Sequence, residues 1–283
     1  MNNQIFWLAS YPKSGNTLLR SILISLFFTE DGKFSLDKAE AIGQFDKTIH
    51  IKRNKQIFED SLNNLSNIEN FYKYMDLLQT KKALGFNQDF IFLKTHSGLF
   101  RIGDNQFTKK ENTRGIIYMV RDPRDVCVSW SKHSGISLQE SLEFITNDLS
   151  SLEWVEPKKN EPVFKNINKP RSFLSSWEKH FLSWTKINWN IPIMIIRFED
   201  LVYHKEKELK KIINFFEKNY GFGFKNLDLK VENILMSTSF ENLKNEEKEK
   251  GFLEATEFSE FFSVGKKEQW INKLNSKQLK LIK

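Results

Sequence analysis

The stretch that decides the fold is "IFWLASYPKSGNTLLRSIL", Ile5 to Leu23. Ile5–Tyr11 is apolar and aromatic and is stopped by Pro12, which reads as a buried strand. Thr17–Phe28 carries Leu18, Leu19, Ile22, Ile24 and Leu26, which reads as a helix. Between them "YPKSGNT" supplies one lysine, one glycine and two aliphatic hydroxyls. In a parallel sheet ligands gather at the carboxyl ends of strands, where a following helix offers unsatisfied N–H groups and partial positive charge. Gly15 lets the backbone approach a ligand, Lys13 adds a full charge and Thr17 a hydroxyl, so the loop reads as an anion cradle. The competing reading is a helix cap by Ser14 or Asn16 beside a surface lysine.

The loop is not a Walker A sequence. That motif sets its lysine directly before the hydroxyl residue that holds magnesium, and needs two spaced glycines. Here Lys13 precedes the only glycine, which disfavours a metal-dependent triphosphatase.

Strands and helices go on alternating. "FIFLKT" (Phe90–Thr95), "GIIYMV" (Gly115–Val120) and "IPIMIIR" (Ile191–Arg197) read as further buried strands. A helix opens at Asp122 or Pro123, another spans Ser172–Trp189, and "FEDLVYHKEKELKKIINFFEK" reads as one strongly periodic helix. Asp31–Leu84 shows helical patterns and no strand, the polar segment Ser137–Pro170 reads as a loop or lid, and a last helix begins near Ser276. Nearly all-apolar strands alternating with helices predict a parallel sheet covered on both faces. We expect one α/β domain over residues 1–283: a three-layer, P-loop-like fold with a central parallel sheet flanked by helices.

With 283 residues, 40% of them apolar and 28% charged, and a mean hydropathy of −0.49, the chain suits a soluble protein with a sizeable core. No run approaches the roughly 20 apolar residues of a transmembrane helix, and the N-terminus has no signal-peptide pattern. The single cysteine, Cys127, excludes an internal disulfide. These features predict a cytoplasmic protein. The net charge of +7 is spread through segments rich in Lys, Asn and Ile, so it argues only weakly for nucleic acid.

Two more stretches carry chemistry. In "FLKTH", Lys94 and His96 are two apart and share a strand face. Neighbouring lysines disfavour protonation of a histidine, and a neutral imidazole at an anion site can take a proton from a hydroxyl. An ordinary strand-end histidine is the plainer reading. His50, His133, His180 and His204 are given no chemistry. In "YMVRDPRDVCVSW", Arg121 ends a strand and Ser129 lies on the next helix, both able to grip a second phosphate. The alternative pairs an arginine with Asp122 or Asp125, and the two are compatible if the aspartates orient Arg124.

Taken together, these motifs resemble the sulfotransferases that use 3′-phosphoadenosine-5′-phosphosulfate (PAPS). "YPKSGNTL" (Tyr11–Leu18) is similar to their "YPKSGTTW", "KTH" (Lys94–His96) follows a strand as theirs does, and Arg121–Ser129 is similar to "RDPRDVAVS". "FLSWTK", "RFEDL", "STSFENL" (Ser237–Leu243) and "FFSVGKKEQW" (Phe261–Trp270) resemble later landmarks in the same order. The resemblance implies that Lys13, Ser14, Gly15, Asn16, Thr17 and Leu18 hold the 5′-phosphosulfate end of the donor. It also implies that Lys13 and Lys94 stabilise charge, that His96 is the general base, and that Arg121 and Ser129 bind the 3′-phosphate. Thr238, Phe240 and Gly265 complete the donor site, PAP is the product, and no metal is required. The acceptor implied is a hydroxyl, less often an amine, on a small molecule, lipid or glycan, with no nucleic-acid partner.

Two departures stand out. The family's adenine-stacking tryptophan is Leu18 here, and its "RKG" is "SVG" (Ser263–Gly265), with Lys266 and Lys267 directly after. Cys127 reads as core, and Trp154 and Trp177 as possible walls of an acceptor pocket. Competing functions are a P-loop kinase of a small metabolite, and a non-catalytic nucleotide- or nucleic-acid-binding protein. Neither the acceptor nor the oligomeric state is written in the sequence.

Overall fold

The first apolar run folds as strand β1 (Ile5–Ser10), with all six residues buried. The computed structural model describes residues 4–45, 54, 68–153, 171–252, 254–262 and 264–282. After β1 come helices α1 (Asn16–Phe28), α2 (Ile68–Leu78) and α3 (Lys81–Leu84) and strand β2 (Ile91–Thr95). A short antiparallel pair, β3 (Arg101–Ile102) and β4 (Asn105–Gln106), precedes β5 (Thr113–Val120). Helices α4 (Pro123–Ser134) and α5 (Leu138–Thr146) follow, then the antiparallel pair β6 (Ser151–Glu153) and β7 (Arg171–Phe173). Helix α6 (Trp177–Thr185) and strand β8 (Ile193–Arg197) come next. The chain then runs through α7 (Phe198–Tyr203), α8 (Lys205–Tyr220), α9 (Leu227–Ser237), α10 (Phe240–Lys250) and α11 (Ser276–Leu279). The central parallel sheet has the order β2-β1-β5-β8, with Ile5 of β1 opposite Ile91 of β2 and Ala9 opposite Thr95. This is the expected α/β class, a parallel sheet flanked by helices.

Contacts divide the chain into two compact units, each built from three segments. The first comprises Met1–Tyr11, Gln44–Ile116 and Asn147–Ile193. Its core is aromatic. The Trp7 ring lies 5.1 Å from Phe45 and 5.3 Å from Phe107, and Phe107 lies 5.9 Å from Trp184. Trp184 Nε1 donates to the Ser97 carbonyl at 3.0 Å, so the residue after His96 is held by a core side chain.

The second unit comprises Pro12–Gly43, Ile117–Thr146 and Met194–Lys283. Helix α1 buries Leu19, Ile22, Leu23 and Leu26. Its end is closed by Lys230 Nζ, which donates to Leu26 O and Thr29 O at 2.9 and 2.6 Å, a cation where a helix leaves bare carbonyls. Helix α4 starts as its sequence dictates. The Asp122 side chain accepts from Arg124 N, Pro123 follows, and Gly135 ends the helix at φ 65°.

Four expectations change. The single helix foreseen from Phe198 onward is two, because His204 leaves helical geometry at φ −131°, ψ 40°. The loop foreseen at Ser137–Pro170 contains α5, whose buried side is only Ser141, Leu142 and Ile145 and so leaves a polar sequence. The helix foreseen at Ser172–Trp189 is the strand β7 followed by the shorter α6. The first helix begins at Asn16 with Gly15 as its N-cap and no side-chain cap, so neither Ser14 nor Asn16 caps it. Residues 154–170, with Trp154, and also His50 and Ser263, lie outside the described residues.

Phe107 is fully buried in the first unit's aromatic core. Phe107→Ala is therefore expected to cost about 3–5 kcal/mol of unfolding free energy. Urea denaturation checks this, with an unchanged midpoint as the contrary result.

Candidate functional site

In the second unit, one cavity collects residues that are far apart in sequence. Its wall includes Lys13, Gly15, Leu18, Arg121, Ser129, Phe240 and Gly265. The backbone makes room for it. Gly15 sits at φ 93°, where an added Cβ would overlap the Phe198 ring. Gly265 sits at φ 60°, where one would overlap the Phe240 ring. Both conformations favour glycine. Lys13 itself adopts φ 64°, and its ammonium lies 4.2 Å from the Phe261 ring centroid, a cation–π contact.

Arg121 is the most constrained of these groups. It is 6% exposed. Its Nη1 donates to the Lys13 carbonyl at 3.0 Å and its Nη2 to the Lys266 carbonyl at 3.4 Å. Its guanidinium carbon lies 4.4 Å from the Phe198 ring centroid. Burial pulls its pKa down, and the charges of Asp125, Glu199 and Asp122 offset that. Asp122 makes its own ion pair with Arg124, Nη2 to Oδ2 at 2.5 Å, with the Trp270 ring 3.9 Å from that guanidinium. Asp125 accepts from the backbone N–H of Glu268 at 2.7 Å and of Trp270 at 3.2 Å. The segment after Gly265 is thereby clamped to α4.

The remaining sequence candidates of this unit stand around the cavity without lining it. Ser14 is buried, and its Oγ has no hydrogen-bond partner among the described residues. Asn16 is buried. Thr17 donates its hydroxyl to Glu254 Oε2 at 2.9 Å, and that carboxylate also meets Arg20 at 2.5 Å. Thr238 is fully buried and turns its hydroxyl onto its own helix, donating to Ile234 O at 2.7 Å. Lys266 and Lys267 are exposed and their side chains are not in the wall. Lys266 lends its carbonyl, and Lys267 Nζ sits 3.8 Å from Glu268 and 5.2 Å from the Tyr203 ring.

Lys94 and His96 belong to the first unit. Lys94 is buried on β2. His96 Nδ1 lies 2.8 Å from the Ser10 carbonyl oxygen and 3.3 Å from Ser10 Oγ. A carbonyl only accepts, so Nδ1 carries the proton and Nε2 is the basic nitrogen of the neutral ring. The carbonyl of His96 accepts from Nε2 of His180 at 2.9 Å. His180 is fully buried, and burial pushes its pKa down to about 4, so it stays neutral. Of the candidate acceptor walls, Trp177 stacks on Phe181 at 5.9 Å. Cys127 is buried, and burial raises its thiol pKa.

Sequence reading missed several wall residues, among them Phe198, Val202, Lys205, Leu243 and Phe261. Phe198, at the head of "FEDL", Leu243, at the end of "STSFENL", and Phe261, at the start of "FFSVGKKEQW", each stood in a landmark that could have drawn attention. Val202 and Lys205 sit in a stretch whose periodicity reads as ordinary helix. Among the described residues no group of three His, Cys, Asp or Glu side chains is arranged to hold a metal ion, and no helix is long and apolar enough to cross a membrane.

Known proteins share this framework. The sulfotransferase domain model matches residues 3–283. Sulfotransferase 1B1 of Canis lupus familiaris is 28% identical over 135 residues, which are 48% of this chain and 39% of that protein. Luciferin sulfotransferase of Photinus pyralis is 23% identical over 246 residues, 84% of this chain and 56% of that protein. The chain thus spans less than two thirds of the length of these curated relatives. A retinol dehydratase crystallised with androsterone and inactive cofactor PAP superimposes with a TM-score of 0.58, at 16% identity, over 98% of this chain and 77% of that one. Mouse sulfotransferase SULT7A1 complexed with PAP gives 0.59 at 19% identity, over 98% and 81%.

Lys205 lines the cavity with its pKa pushed down by burial to about 8. A base whose folded pKa falls below its unfolded value costs stability while charged, and the cost fades as pH rises through both values. Lys205→Met is therefore expected to raise the melting temperature at pH 7, and the gain to shrink between about pH 8 and pH 10.5. Thermal melts across that range check it, and a lower melting temperature at pH 7 is the contrary result.

Proposed function

The chain belongs to the sulfotransferase domain family, and we propose that it acts as one domain moving a sulfuryl group from PAPS to an acceptor hydroxyl, or an amine, without a metal, in the cytoplasm. The observation that supports this most is the shared cavity wall. Lys13 and Gly15 come from the first motif, Arg121 and Ser129 from the second, and Phe240 and Gly265 from the two later ones. These residues fit a nucleotide carrying two anionic groups. Glycines at positive φ open the wall, Ser14 Oγ is buried without a partner among the described residues, and two wall cations stand beside apolar rings.

In this reading Lys13 and the N–H groups at the start of α1 stabilise the negative charge on the oxygen that leaves sulfur. Arg121 and Ser129 hold the 3′-phosphate, with Arg121 preset by its two carbonyl partners. His96 Nε2 receives the proton of the acceptor hydroxyl as that oxygen bonds to sulfur and the bond between sulfur and the bridging oxygen breaks. Lys94 shares the charge of the group in transit. PAP is the product. Ser10 keeps the base in its working tautomer, and His180 fixes its backbone. The first acceptor class to test is a small-molecule hydroxyl, as the name of luciferin sulfotransferase suggests for that relative, with lipid and glycan hydroxyls next.

Incubation with labelled PAPS and a panel of phenols, sterols, aliphatic alcohols and sugars is expected to yield a sulfated product. PAP, rather than ATP with magnesium, is expected to raise the melting temperature. No stabilisation at millimolar PAP overturns the donor assignment. His96→Ala is expected to lower turnover about 10²–10⁴-fold with PAP binding nearly intact, whereas Arg121→Ala chiefly weakens PAP binding and Lys13→Ala lowers both. Near-normal turnover of His96→Ala at neutral pH would mean that another base acts.

A further inference from the structure

Lys205 is out of place for a structural lysine. It opens α8, where the helix dipole disfavours a cation. It lines the cavity together with the apolar residues Leu18, Phe198, Val202, Phe240 and Leu243. The carboxylates of its own first turn are engaged elsewhere, Glu206 with Lys210 and Glu208 with Lys211, both at 2.6 Å. No carboxylate pairs with Lys205 among the described residues. Its Nζ donates to the Thr238 carbonyl at 2.5 Å and lies 3.4 Å from Thr238 Oγ1, whose own proton goes to Ile234 O. An ammonium has three protons, so one remains for a ligand. Thr238 lies two residues before Phe240, and Lys205 and Phe240 line the same cavity.

We propose that Lys205 determines base specificity, donating a hydrogen bond to a ring acceptor of a heteroaromatic base held against Leu18, Phe240 and Leu243. The inference deepens the donor reading above and rests on it. In the donor reading Lys13 and Arg121 answer a ligand's phosphates. The same wall holds Leu18, Phe198, Phe240 and Leu243, which suit a flat ring, and a nitrogen or carbonyl on that ring's edge suits the remaining Lys205 proton. Leu18 offers less stacking surface than an aromatic residue, so a directed hydrogen bond carries more of the recognition. A lysine serving only as a strut for the turn between α9 and α10 would affect every ligand alike, and its loss would lower stability.

Isothermal titration of the purified chain with adenosine 3′,5′-bisphosphate and ribose 3,5-bisphosphate separates these roles, because both ligands carry the same phosphates and only the first carries a base. The wild type is expected to prefer the adenosine compound by about tenfold or more. Lys205→Met is expected to lose about tenfold for the adenosine compound and little for the base-free one, without a lower melting temperature. Lys205→Gln, which keeps an N–H donor, is expected to retain most of the preference. Equal loss for both ligands in Lys205→Met, no loss for either, or no preference in the wild type overturns the inference while leaving the donor reading standing. A wild type that binds neither bisphosphate removes both.

Discussion

A guanidinium taken out of water needs partners, and Arg121 finds them for both terminal nitrogens, though not for Nε, in the pieces of chain that form the cavity. Its nitrogens hold the carbonyls of Lys13 and Lys266, and its face lies on the Phe198 ring. Asp125, one turn further along α4, grips the backbone at Glu268 and Trp270. The loop after the first strand, the end of the third main strand and the segment after Gly265 are therefore fixed by one buried charge and its carboxylate neighbour. Anything anionic that arrives meets donors already oriented, and pays little to organise them.

How much of this was legible depends on whether a residue's surroundings are written nearby in the chain. Three of the four main strands were, because a strand buried on both faces has to be apolar along its length, as Ile5–Ser10 is. Strand β8 was found by the same apolar run, but it is not the buried strand expected, since only Ile196 is buried and Ile195 and Arg197 are exposed. The start of α4 was legible because Asp122 and Pro123 carry its capping chemistry themselves. Helix α5 was not, since three buried positions hide in a polar stretch. The break at His204 was not either, because the hydrophobic period runs on across it.

The same distinction holds within the site. Lys13, Gly15 and Arg121 were found because motif and local backbone agree. Val202 and Lys205 were missed because only the fold brings them to the cavity. Ser14, Thr17 and Thr238 were identified from the motif; the hydroxyls of Thr17 and Thr238 are taken by distant or helical partners that no spacing encodes, and that of Ser14 has no partner among the described residues. The carboxylate that accepts from Thr17 comes from Glu254, far downstream. His180 looked idle in sequence, yet it holds the carbonyl of His96 from a fully buried position.

Both units are assembled from three separated stretches of chain. During synthesis the loop with Lys13 emerges long before Phe261 and Gly265, which share its cavity. Such non-local closure is slow and comes late in folding. A nascent chain thus carries the lysine long before the cavity wall around it can close.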